Sequence, residues 1–178
     1  MLQVIREALI SKEAIEAKTK ELAERISRDY KGKDLLVVGV LKGSVIFASE
    51  LIKNITIPCE IDFMAVSSYG SSSETTGVVR ILKDLDSEIS GKHILIVEDI
   101  VDSGVTLSYL LNYLKTRNAS SVEIASLLTK PSRRKVDIDC KYVGFETPDE
   151  FLVGYGLDYA EKYRNLPFIG ILKREVYA

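Results

Sequence analysis

The stretch His93-Ile-Leu-Ile-Val-Glu98-Asp99-Ile-Val-Asp102-Ser103-Gly104-Val105-Thr106 decides the fold of this chain. Its apolar run, Ile94 to Val97, lacks polar alternation, so it reads as a strand buried on both faces of a parallel sheet. Two carboxylates, Glu98 and Asp99, stand at the C-terminal end of that run. A short turn holding Asp102, Ser103 and Gly104 then opens an amphipathic helix with apolar positions at Leu107, Leu110, Leu111 and Leu114. In open α/β sheets, ligands bind at the carboxyl ends of the strands, and a helix N-terminus is a natural anion site. Acids beside an anion cradle suit a ligand that carries both hydroxyls and phosphate, such as a sugar phosphate.

The flanks repeat the same grammar. Upstream, Ile15, Leu22, Ile26 and Tyr30 share one face of a helix over about 11–30, with Ser11 as N-cap. Leu35 to Val40 is an apolar strand, and Leu41-Lys42-Gly43-Ser44 turns it into a helix through Ile52. Further strands are expected at 57–67, 78–83, 122–128, 141–145, 151–153 and 168–172. Strands alternating with helices indicate an α/β fold, a mostly parallel twisted sheet flanked by helices. The chain is expected to form one domain over 1–178. The termini are expected to form a small hood over the sheet edge, chiefly the last stretch, about 145–178, which is rich in aromatics and short strands.

Composition narrows the class. At 178 residues, with 46% hydrophobic and 28% charged residues, the chain has globular values rather than those of a disordered tail or a disulfide scaffold. Its formal net charge of −2 gives no global support to a nucleic-acid or membrane-surface partner. The basic run Arg133-Arg134-Lys135 reads as a solvated loop face. Cys59 and Cys140 lack metal spacing and read as ordinary core or strand residues, and His93, the single histidine, has no ligand companions. No apolar run approaches membrane-span length and no leader pattern opens the chain, so a cytoplasmic protein is expected.

The segment Ser68-Tyr69-Gly70-Ser-Ser-Ser-Glu-Thr-Thr-Gly77 is open to two readings, a flexible connection or a lid that closes over a site. Composition does not choose between them. Elsewhere, Lys42-Gly43 lies at a second strand end, where glycine permits close approach of backbone to an anion. Lys130 follows an apolar strand, as an exposed lysine or as a donor to a substrate carbonyl. Phe151 suits either core or a stacking surface for a flat ring, and Asp158 either a turn or a hard-cation ligand.

Together these motifs resemble the type I phosphoribosyltransferases, and within them the bacterial hypoxanthine-guanine phosphoribosyltransferases. The resemblance rests on apolar strand, Glu98-Asp99, two residues and Asp102-Ser103-Gly104-Val105-Thr106, which is the family's binding signature for 5-phosphoribosyl diphosphate (PRPP). It extends to Leu41-Lys42-Gly43, Ser68-Tyr69-Gly70, Lys130 and Phe151-Leu152-Val153-Gly154-Tyr155-Gly156-Leu157-Asp158-Tyr159, ending at Arg164. Ser44, Leu152 and Val105 depart from the residues usual in the family. The resemblance implies transfer of the phosphoribosyl group from PRPP to N9 of hypoxanthine or guanine, giving IMP or GMP and pyrophosphate.

The same resemblance assigns roles. Glu98 and Asp99 would hold the ribose hydroxyls, Ser103 to Thr106 the 5′-phosphate, and Lys42, Gly43 and Arg164 the pyrophosphate. Asp102 would act as general base, with Ser68 and Tyr69 in the lid. Lys130, Phe151, Leu152 and Asp158 would surround the base. Glu98, Asp99 and Asp158 would serve Mg²⁺, and the family usually forms dimers or tetramers. A phosphoribosyltransferase for another base, such as xanthine, or a PRPP-sensing regulator without catalysis stands as the alternative.

Overall fold

The computed structural model describes residues 1–68 and 79–178. Most of the polar segment discussed above, Tyr69 included, therefore lies outside the described residues. Ser68 is the last residue of a described strand.

Among the described residues, six strands form the main sheet: β2 (Leu35–Leu41), β3 (Glu60–Ser68), β4 (Val79–Lys83), β5 (His93–Val101), β6 (Ser121–Thr129) and β7 (Tyr142–Glu146). Their order is β4-β3-β2-β5-β6-β7, with parallel pairing everywhere except the antiparallel edge pair β3–β4. The expected parallel α/β sheet is present. Because strand side chains alternate between faces, the run Leu35-Leu36-Val37-Val38 feeds two cores. Leu35 and Val37 join Leu95, Val97 and Leu127 beneath α1 (Lys12–Asp29) and α2 (Val45–Asn54). Leu36 and Val38 join Ile94, Ile96 and Ile124 beneath α3 (Val105–Lys115), through Leu107, Leu110 and Leu114. Ser11 caps α1 as expected, its side chain accepting from Ala14 N at 3.1 Å.

A second, three-stranded antiparallel sheet combines both ends of the chain in the order β1-β9-β8. It contains β1 (Ile5–Ile10), β8 (Leu152–Val153) and β9 (Ile169–Leu172), followed by the short helix α4 (Arg174–Tyr177). Ile10, Leu152, Ile169 and Ile171 join the core beneath α1. Val153, Leu166 and Leu172 cluster with Phe151, Tyr159 and Tyr177. This sheet is the hood, and β1 is a strand that local pattern did not reveal.

Several boundaries differ for identifiable reasons. β5 runs past both acids to Val101 because its ladder with β6 continues through Glu98–Ser126 and Val101–Thr129. β3 begins at Glu60 rather than residue 57, beyond Pro58, whose ring nitrogen has no N–H to donate. Neither cysteine lies in a strand: Cys59 precedes β3 and Cys140 precedes β7, and both are half-buried. Among the described residues, no helix is long and apolar enough to cross a membrane.

Candidate active site

The site grows from the parallel register of β2 and β5. Gly39 lies opposite Val97, so the turn after β2 arrives beside the acids of β5. The Leu41–Lys42 peptide bond in that turn is cis. Gly43 is pressed against the neighbouring strand: a β-carbon there would overlap Asp99 Oδ2 and lie 2.9 Å from Asp99 Cγ. On its other side Gly156, at φ +102°, approaches just as closely, and a β-carbon on it would overlap the Gly43 carbonyl oxygen. Glycine is the residue that fits at both positions. The turn is thus held between β5 and the hood loop, over a cleft of about 270 Å³ that reaches Glu98, Asp99, Ser103, Thr106 and Arg164.

Electrostatics in this cleft favour a positive or hydroxyl-bearing visitor. Burial, then the neighbouring Asp99 charge, pushes the Glu98 carboxyl well above the usual range. Asp99 is also raised by burial, against the Ile100 N–H donating to Oδ1 at 2.7 Å and against the Arg164 charge. Two adjacent acids facing a cleft, with Arg164 as the nearby cation, match ribose hydroxyls or a divalent cation with oxygen ligands. Among the described residues, Arg164 Nε is buried without a hydrogen-bond partner, an orphan donor that suits an anion.

The turn from Asp102 to Thr106 enters α3 through Gly104, at φ +85°. Val105 N donates to Ser103 Oγ at 3.4 Å, and the first turn of the helix presents the backbone N–H groups expected of an anion cradle. Support comes from behind. Lys135 N and Val136 N donate to Ser103 O at 2.8 and 3.2 Å. Arg134 donates to Asp102 O (3.3 Å), Thr129 Oγ1 (2.8 Å) and Ile138 O (3.4 Å). The basic run is therefore not simply a solvated face. Arg134 is half-buried because its three acceptors converge there. Arg133, from a 3₁₀ turn at Pro131–Arg133, places Nε 2.9 Å from Asp102 Oδ1 and donates to Asp149 Oδ1 at 3.2 Å.

A second cleft, also about 270 Å³, meets the first at Ile100 and Asp102. Lys130, Arg133, Phe151, Leu152 and Asp158 line it. Lys130 is buried at the end of β6 rather than exposed; its Nζ donates to Glu150 O at 2.7 Å, and burial lowers its pKa. Phe151 packs against Tyr177 and Tyr159, with centroids 4.8 and 5.5 Å away. The Leu152 side chain is buried in the core, leaving its backbone as the group near the cleft. Arg164 donates to Gly156 O at 2.7 Å and pairs with Asp158 Oδ1 at 3.4 Å and Glu161 Oε1 at 3.2 Å. Lys42 Nζ pairs with Glu161 Oε2 at 3.0 Å.

The structure thus gathers Lys42, Gly43, Glu98, Asp99, Asp102, Ser103, Gly104, Val105, Thr106, Lys130, Phe151, Leu152, Asp158 and Arg164 around two joined clefts. Among the described residues, no three acids, cysteines or histidines form a closed metal-ligand set. Glu98 and Asp99 face the first cleft, whereas Asp158 lines the second and pairs with Arg164. Sequence reasoning missed Arg133, Arg134 and Glu161. The two arginines follow Lys130 by three and four residues, which is a signal of a kind; nothing local marks Glu161.

Residues 6–160 match the family model described as phosphoribosyl transferase domain. The chain is 54% identical to the hypoxanthine-guanine phosphoribosyltransferase of Bacillus subtilis, over 97% of this chain and 96% of that one. It is 53% identical to the protein of the same name from Streptococcus agalactiae, over 98% and 97%. A crystal structure of a hypoxanthine phosphoribosyltransferase from Staphylococcus aureus superposes with a TM-score of 0.97 at 53% identity, covering 99% of this chain and 96% of that one. The signature strand, the two joined clefts and this full-length similarity agree: the chain belongs to the phosphoribosyltransferase family, among its hypoxanthine-guanine phosphoribosyltransferases.

Proposed function

We propose that the protein is a purine-salvage enzyme that transfers the 5-phosphoribosyl group of PRPP to N9 of hypoxanthine or guanine. The products are IMP or GMP and pyrophosphate. One observation carries the reading: Asp102 borders both clefts, which puts an acidic residue between the cleft proposed for the phosphoribosyl group and the cleft proposed for the flat ring. A regulator reading nucleic acid gains no support, since the relatives reported above are named as enzymes. A phosphoribosyltransferase for a different base is the outcome the substrate assay below would expose.

The mechanism follows from charge development. The bond from ribose C1′ to the pyrophosphate oxygen breaks, the N9–C1′ bond forms, and the proton on purine N7 passes to Asp102. Glu98 and Asp99 accept hydrogen bonds from the ribose hydroxyls and place negative charge beside the cationic ribose. Ser103, Gly104, Val105 and Thr106 hold the 5′-phosphate with backbone N–H groups and hydroxyls at the start of α3. Val105 brings no cation, so the helix amides carry that task. Lys42 and Gly43, with Arg164, receive the pyrophosphate. Lys130 donates to the exocyclic O6, Phe151 stacks on the ring, and Leu152 backbone reads its edge.

Glu98 and Asp99, with Asp158 from the second cleft, would hold Mg²⁺ together with substrate oxygens, and the ion supplies charge neutralisation for the departing pyrophosphate. The polar segment from Ser68 through Tyr69 to Gly77 would close over the site and exclude water. A cytoplasmic homodimer or homotetramer completes the reading.

The test is the purified protein with PRPP, Mg²⁺ and each of hypoxanthine, guanine, xanthine and adenine, monitored for nucleotide. Turnover of the 6-oxopurines, abolished by EDTA, is expected. Turnover confined to another base, full activity in EDTA, or no nucleotide from any base would overturn it.

A further inference from the structure

Glu161 stands between the two cations that the proposed function gives to pyrophosphate. Its two carboxylate oxygens are divided between them: Oε2 lies 3.0 Å from Lys42 Nζ and Oε1 lies 3.2 Å from an Arg164 terminal nitrogen. Asp158 anchors the same residue from below, Oδ2 accepting from Glu161 N at 2.8 Å. Two oxygens bridging a lysine and an arginine reproduce what a diphosphate offers these groups.

The backbone brings Glu161 there against local preference. Tyr159 and Lys162 exchange both main-chain hydrogen bonds at 3.0 Å, so Ala160 and Glu161 are the central pair of a two-residue hairpin. Both have positive φ, +50° and +65°. Such turns favour Asn-Gly, not Ala-Glu. A glutamate held in this conformation, with each oxygen on a different cation, has a reason to be there other than turn formation. Lys42 also depresses the Glu161 carboxyl below its ordinary range, so the bridge is ionic at neutral pH.

We propose that Glu161 is an internal stand-in for pyrophosphate: it occupies Lys42 and Arg164 in the ligand-free enzyme and must be displaced by the diphosphate of PRPP. This rests on the proposed function and deepens it. A competitor that belongs to the protein lowers the apparent affinity by the fraction of molecules in which the cations are free. The same penalty applies to the pyrophosphate product, which has lost the ribose anchor and is released more readily as a result. The Lys42 and Glu161 side chains are 69% and 64% exposed, so the pair is weak and the penalty modest.

Glu161→Gln keeps the shape and removes the charge, and at this exposure it leaves the core untouched. Steady-state kinetics in Mg²⁺ at low salt should show KM for PRPP and the inhibition constant of pyrophosphate falling together, by about two- to tenfold. KM for the purine should not move. Glu161→Ala should act in the same direction, and both gains should shrink as salt screens the pair. If Glu161 instead orients Lys42 and Arg164 for the substrate, both constants rise; if it merely forms the turn, both stay put and the melting temperature alone changes. Either result overturns the inference while leaving the transferase reading intact. A wild-type protein that makes no nucleotide would instead bring down the reading beneath it.

Discussion

The Asp99 carboxylate occupies the space in which residue 43 would carry a β-carbon; such a carbon would overlap Oδ2 and sit 2.9 Å from Cγ. Gly43 is thereby matched to one acid of the neighbouring strand, and through Gly156 to the hood. Glycine→alanine at 43 must push the acid or the turn aside. Overpacking of this kind costs about 1–3 kcal/mol. The displaced groups are those proposed for ribose and pyrophosphate, so KM for PRPP should rise at least about tenfold, the equivalent of roughly 1.4 kcal/mol. Kinetics alongside a thermal melt check both effects. A variant with unchanged KM would mean that the close approach is packing alone.

Glu98 predicts a pH dependence of stability. Its folded carboxyl titrates well above the unfolded value of about 4.5, chiefly because of burial. The folded state therefore holds more protons than the unfolded state in that window. Stability falls as pH rises from the unfolded toward the folded pKa. Glu98→Gln removes the penalty: its melting temperature should exceed the wild type's at neutral pH by a few degrees, with the difference vanishing below about pH 4. The same variant should lose activity through the ribose contact proposed for Glu98. Melting curves across pH, with the wild type more stable at pH 7 as the contrary outcome, decide it.

The N-cap of α3 is Gly104 rather than Asp102, and Ser103 Oγ accepts from Val105 N at 3.4 Å. Loss of the Asp102 charge should therefore act on chemistry before stability. Asp102→Asn should lower kcat by roughly 10²–10⁴, the usual worth of positioned proton transfer, with KM for PRPP little changed. A near-normal kcat in the folded variant would remove the general-base role.

Arg134 braces the turn that enters α3 through Asp102 O, Thr129 Oγ1 and Ile138 O. Arg134→Met keeps much of the stem but leaves these acceptors without their donor, at a cost of about 1–3 kcal/mol. Because two of the segments it joins flank the turn proposed to hold the 5′-phosphate, KM for PRPP should rise several-fold more than KM for the base. Equal changes in the two constants, or none, would make Arg134 a stability residue only. Lys at this position, which retains one donor group, should recover part of the loss.

Much of the site was legible because its residues are neighbours in sequence. Glu98, Asp99, Asp102, Ser103, Gly104 and Thr106 lie within nine positions, and a buried strand leading into a helix sets their relative placement locally. The boundaries were less legible where pairing partners decide them, as in the extension of β5 to Val101 by its ladder with β6. On local pattern Lys130 read more readily as an exposed lysine than as a site residue, until its burial against Glu150 O was visible. Arg134 read as loop because its acceptors, at 102, 129 and 138, are scattered along the chain.

By itself the sequence determined the parallel sheet, its helices and the turn from Asp102 to Thr106 proposed to bind phosphate, since periodicity, glycine placement and adjacent acids act over a few residues. Only the tertiary structure decided the rest. It brought β1 against β9 across nearly the whole chain, pressed Gly43 onto Asp99 and Gly156 onto Gly43, and set Glu161 between Lys42 and Arg164. The physical reason is that these are contacts between distant segments: hydrogen-bond pairing, close packing and ion pairing depend on where two stretches meet, and no local preference at either one specifies its partner.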